Sequence, residues 1–184
     1  MKSISQFYLI FLVILVFTSC EKEDPEIPHQ EELITTVKFA LVPDGGGSPA
    51  EFIYRDLDGD GGNAPSITNA NLDAQTTYSG TITLLNETET PAEDITEEVK
   101  NEALEHQIFF SSTANVTVEY DDTDSNGNPL GLQTKLISGD AGSGTLTIVL
   151  RHEPDKSAAG VSAGDITNAG GETDVEVQFD VTIQ

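Results

Sequence analysis

Two short acidic stretches carry oxygen ligands at a metal-binding spacing. Asp56-Leu57-Asp58-Gly59-Asp60-Gly61-Gly62-Asn63 places carboxylates at alternate positions around a glycine. A hard cation needs several oxygens converging at about 2.3–2.6 Å, and a curled loop with a carboxylate at every second residue supplies them. Asp122-Thr123-Asp124-Ser125-Asn126-Gly127 repeats the spacing. The candidate calcium ligands are therefore Asp56, Asp58, Asp60, Asp122, Asp124 and Asn126. A complete EF-hand loop ends in a bidentate Glu. That position is Ile67 in the first stretch and Gln133 in the second, so neither loop is complete. Asp, Asn and Gly also build surface turns without metal, and that alternative stays open for both.

The histidines offer softer ligands. His106 lies in Glu105-His106-Gln107 and His152 in Arg151-His152-Glu153-Pro154, while His29 sits in a polar N-terminal stretch. Imidazole with carboxylate binds zinc or another transition metal, which makes His106, His152, Glu105 and Glu153 a candidate set. Two opposed imidazoles also suit a haem iron. The spacing requires neither, and strand-end or helix-end histidines commonly make ordinary hydrogen bonds. Signatures of catalysis are missing: there is no Gly-x-Ser-x-Gly elbow, phosphate loop or His-Glu-x-x-His motif. No enzyme activity is expected.

The elements that position these residues follow from composition and period. The chain has 184 residues, 32 acidic and 8 basic, for a net charge of −24. Such an acidic surface argues against nucleic acid as a partner and against electrostatic docking on an anionic membrane. One Cys excludes a disulfide framework and a thiolate zinc cluster. Apolar residues alternate in about eight short runs, centred on Ile34–Val42, Phe52–Tyr54, Tyr78–Leu84, Ile108–Phe110, Val116–Tyr120, Leu132–Leu136, Leu146–Leu150 and Val175–Ile183. A period of two puts one face of each strand on a core. Phe39, Ile82, Val118, Ile148, Leu150, Val177 and Phe179 are the expected core. Between Pro91 and His106, Ile95, Val99 and Ala103 recur by four behind a capping Asp94, with Glu97 three residues on. This predicts one short helix ending at His106. The expected fold is an all-β, immunoglobulin-like sandwich of about eight strands with one helix, over residues 33–184. The tetrapeptide Ile67-Thr68-Asn69-Ala70 recurs at Ile166-Thr167-Asn168-Ala169, which is too short to define a repeat.

The first residues read as an address. Lys2 precedes an apolar run from Phe7 to Phe17, too short to span a bilayer but suited to a secretory signal. The run ends in Val16-Phe17-Thr18-Ser19-Cys20, which resembles a bacterial lipobox and makes Cys20 the lipidation site. Residues 1–19 are the expected signal peptide. Residues 20–32 form an acidic tether, and removing the signal leaves a mature charge of −25. More than one acyl chain gives stable anchoring. Glu21-Lys22-Glu23-Asp24 after the cysteine resembles the surface-export signal of Bacteroidetes lipoproteins. It favours the cell surface over the periplasmic face of the outer membrane.

Several further segments carry a wider resemblance: Leu84-Leu85-Asn86-Glu87-Thr88, Asp94-Ile95-Thr96-Glu97-Glu98, Asp124-Ser125-Asn126-Gly127-Asn128-Pro129, Leu150-Arg151-His152-Glu153-Pro154 and Gly170-Gly171-Glu172-Thr173-Asp174-Val175. With the lipobox and the first acidic loop, they resemble a family of small Flavobacteriia lipoproteins across nearly the whole chain. Relatives of this kind carry the label "type 1 periplasmic binding fold". The chain is too short for that bilobed α/β fold, and its strand pattern contradicts it. The resemblance implies a TonB-dependent outer-membrane receptor as partner, and nutrient or metal capture without catalysis. The expected function is a lipid-anchored binding accessory to such a receptor. The alternative is a structural or adhesive envelope lipoprotein with calcium-stiffened loops.

Overall fold

The computed structural model describes residues 32–59 and 62–184. The signal peptide, Cys20, His29 and Asp60 lie outside the described residues. The described chain is an all-β sandwich of two sheets with one short helix. The larger sheet joins β1 (Thr36–Pro43), β2 (Ala50–Arg55), β3 (Ser66–Thr68), β5 (Thr77–Asn86), β8 (Val116–Tyr120) and β9 (Gln133–Ser138) in the order β3-β2-β1-β5-β9-β8. The two-residue β6 (Glu93–Asp94) pairs with the end of β5. The smaller sheet runs β4-β11-β10-β7, from β4 (Asn71–Leu72), β7 (His106–Ser112), β10 (Gly142–His152) and β11 (Glu172–Ile183). All pairings are antiparallel except the short β4–β11 contact. The expected runs all become strands, and β3, β4 and β6 are additional. These three are only two or three residues long, too short to show a period.

The inward faces meet in one core. Phe39, Phe52, Ile82, Ile148, Leu150, Val177 and Phe179 are buried in it, and Val118 packs half-buried against it. Phe52 and Phe179 meet across the two sheets, with ring centroids 5.4 Å apart. The run Ile108-Phe109-Phe110 is apolar without alternation because both faces of β7 are covered. Ile108 enters the main core, while Phe109 packs with Val149, Val161 and Ala169 under the excursion between β10 and β11. The tetrapeptide at 67–70 begins in strand β3, whereas its copy at 166–169 begins with a 3-10 turn. Tertiary context, not the four residues, sets the conformation.

The helix is shorter than expected. α1 covers Ile95–Asn101 and buries Ile95 and Val99, and the Asp94 side chain accepts from the Thr96 N–H. The Glu102 N–H bonds Glu98 O and ends it. His106 is therefore not a helix-end residue. It opens β7, two residues before the apolar run that marks the strand in the sequence.

Candidate metal centre

His106 and His152 face each other directly. They form the last cross-strand pair between β7 and β10. Each sits two residues from a core side chain, His106 from Ile108 and His152 from Leu150, so the strand period turns both rings inward. His106 is fully buried, His152 nearly so, and the ring centroids are 4.7 Å apart. The same period turns their sequence neighbours away. Glu105 and Glu153 are exposed, and the Glu153 N–H bonds Glu105 O at 2.6 Å. The expectation that Glu105 or Glu153 completes a site with the histidines is thus corrected, because adjacent residues at a strand end point to opposite sides.

Two other carboxylates take those places. Along β10 and β11, Leu150 pairs with Val175 but Arg151 pairs with Thr173. Asp174 is the extra residue of a β-bulge, and a bulge re-aims side chains. The Asp174 side chain is fully buried, with Oδ2 3.8 Å from His106 Nε2 and Oδ1 3.8 Å from His152 Nδ1. Gly171 allows the approach: a Cβ there would lie 2.1 Å from His152 O. Glu32, just before β1, brings Oε1 to 3.4 Å from His106 Nε2, and its side chain is 6% exposed. One ligand atom from each of Glu32, His106, His152 and Asp174 lies within 4.8 Å of all the others.

The orientation of His106 is fixed from behind. Its Nδ1 lies 3.2 Å from the Glu102 carbonyl oxygen, which can only accept, so Nδ1 carries the hydrogen in this contact. With the ring neutral, the Nε2 lone pair then points at Glu32 and Asp174, and this nitrogen has no hydrogen-bond partner among the described residues. A lone pair facing two carboxylates is repulsive unless a proton or a metal cation lies between them. Backbone carbonyls behind an imidazole are the usual support of a metal-ligating histidine. Tetrahedral zinc with nitrogen and oxygen at about 2.0–2.1 Å keeps its ligands about 3.3–3.4 Å apart. The 3.4 and 3.8 Å separations need a small contraction, and the set as a whole, whose atoms lie within 4.8 Å of one another, must close further to hold such an ion. Two neutral imidazoles and two carboxylates also balance a dication, so no net charge stays buried.

Glu32 and Asp174 reach one wall of a cleft of about 440 Å³, which Tyr54, Asp56, Asp58 and Thr88 also line. The first acidic loop thus shares this cleft with Glu32 and Asp174, while neither histidine lines it. Within that loop the carboxylates hold the turn itself. Asp56 Oδ1 accepts from the Gly59 N–H, and Asp58 Oδ2 accepts from the Asn63 backbone and side-chain N–H groups. Those bonds from Asn63 hold the Asp58 carboxyl below its ordinary value.

The second acidic loop departs from the calcium expectation. Asp122 accepts from the Gly131 and Gln133 N–H groups. Asp124 Oδ1 accepts from Asn126 and Asn128, and Oδ2 lies 3.0 Å from Lys156 Nζ. Lys156 also donates to Ala103 O and Pro129 O. Burial pushes the Asp124 carboxyl up, but the Lys156 ammonium and the two backbone N–H groups outweigh it and hold it low. An ammonium occupies the place of a cation, while Asn126 stays exposed, contributing its backbone N–H to the turn.

Sequence reasoning missed Glu32, read as tether, and Asp174, which lies just before the expected last strand and carries no expected role. Asp174 carries no sequence signal: Asp174-Val175-Glu176-Val177 alternates without a break, and the slip shows only in the β10–β11 register. No protein-family model, curated protein or solved structure matches this chain.

Proposed function

We propose that this protein is a lipid-anchored outer-membrane lipoprotein that captures a divalent transition metal, zinc foremost, and presents it to an outer-membrane receptor. His106, His152 and Asp174 are the inner ligands, and Glu32 closes the fourth position on the cleft side. The observation that carries the reading is His106 Nε2, aimed at Asp174 and Glu32 with its other nitrogen donating to Glu102 O. The mature charge of −25 and the acidic cleft wall favour the approach of cations. With Glu32 on the cleft side, displacement of this one carboxylate would open the fourth position for exchange, whereas a site whose four protein ligands all stay in place holds its ion. The lipobox ending in Cys20, and the resemblance to small Flavobacteriia lipoproteins, support anchoring and a TonB-dependent partner.

Two measurements test it. The chain should partition with membranes and Cys20→Ala should be released, while equal partition would contradict the anchor. Purified protein should retain a single zinc ion after exchange into metal-free buffer. Failure to retain zinc, cobalt or nickel would contradict capture.

A further inference from the structure

Glu32 belongs to two clusters at once. Besides the histidine group, a ligand oxygen of Glu32 lies within 4.8 Å of carboxylate oxygens of Glu98 and Glu102, which themselves lie that close to each other. Glu98 is in α1 and Glu102 caps its end. A separation of four places both on one helix face. Glu102 serves both clusters, because its carbonyl fixes His106 while its carboxylate stands in the trio. The Glu32 side chain is 6% exposed. Its Oε1 faces His106, whereas Oε2 is buried with no hydrogen-bond partner among the described residues.

We propose that Glu32 bridges two cation sites, the second formed by Glu32, Glu98 and Glu102 and selective for a hard divalent ion such as manganese. The bridge rests on the zinc reading of the first site, and the trio stands on its own geometry. An all-carboxylate set suits hard ions that keep some water ligands, while the imidazole pair suits zinc. A bridging carboxylate holds paired metals about 3.5–4 Å apart.

The test is a manganese titration, followed by electron paramagnetic resonance, of the full chain in detergent at 0.15 M salt, with and without prior zinc. Both forms should bind one manganese ion specifically. Glu98→Gln/Glu102→Gln should weaken it at least tenfold and leave zinc stoichiometry unchanged. Glu119→Gln/Glu176→Gln, two exposed residues outside the trio, should bind manganese like the parent. Equal manganese binding by the parent and Glu98→Gln/Glu102→Gln would overturn the second site. Glu32→Gln should weaken both metals, and weakening of zinc alone would overturn the bridge. Loss of zinc in His106→Ala with manganese retained would support two separable sites. Manganese binding by a chain that takes no zinc would contradict the capture reading and leave the trio supported.

Discussion

Asp174 is the extra residue of the bulge between β10 and β11, and that position sets its Oδ2 3.8 Å from His106 Nε2. Unbroken alternation from Val175 would turn residue 174 outward, leaving the histidines without this carboxylate. Asp174→Asn keeps the size and removes the charge. We expect it to weaken zinc binding by at least the roughly 10–100-fold that loss of an outer partner costs a metal site. Glu105→Gln and Glu153→Gln should bind zinc like the parent. Isothermal titration checks all three, and equal binding by Asp174→Asn and the parent would remove Asp174 from the site.

The strands were legible in the residues because alternation survives wherever one face is buried, as along Val177, Phe179, Val181 and Ile183. The histidine pair was legible only in part. The expected helix end at His106 would have set it apart from the strand that carries His152, yet both are strand residues in register. The carboxylates escaped for two reasons. Adjacency in sequence pointed to Glu105 and Glu153, but neighbouring strand residues diverge. Glu32 stands at the end of an acidic tract, where composition hides it. The Asp124–Lys156 contact joins residues far apart in the chain, which no local pattern reveals.

Metal and proton compete for the same imidazole lone pairs. Zinc affinity should therefore fall progressively as the solution is acidified. Competition with a chromophoric chelator between pH 8 and 5.5 measures this. A flat profile would mean that the histidines are not ligands.

Lys156 and Asp124 are a buried pair, and Lys156 satisfies all three of its donors. Lys156→Met leaves the Asp124 charge buried without its counter-ion and should cost about 3–5 kcal/mol. Joining it with Asp124→Leu should recover much of that loss. Asp124 is held below its ordinary value, so it stabilises the fold above the unfolded value of ~3.9. That contribution is lost as pH falls through the lower folded value. Urea unfolding at pH 7 and at pH 3 should show a larger loss in the parent than in the double variant, which keeps only the loss from the other hydrogen-bonded carboxylates.

Calcium should not act through the second acidic loop. Because Asp122 and Asp124 are committed to backbone N–H groups and Lys156, Asp124→Ala should lower the melting temperature equally with and without millimolar calcium. Thermal scans in calcium and in magnesium check this. A calcium-specific stabilisation abolished by Asp124→Ala would restore the loop as a calcium site.

X-ray absorption at the zinc edge of the zinc-loaded full chain tests the metal centre most directly. We expect a first shell of nitrogen and oxygen only, at about 2.0–2.1 Å, with the multiple-scattering signature of two imidazoles. His106→Ala and His152→Ala should each reduce that signature to one ring or abolish binding. A spectrum without imidazole scattering, or one unchanged in both variants, would contradict metal capture by this pair.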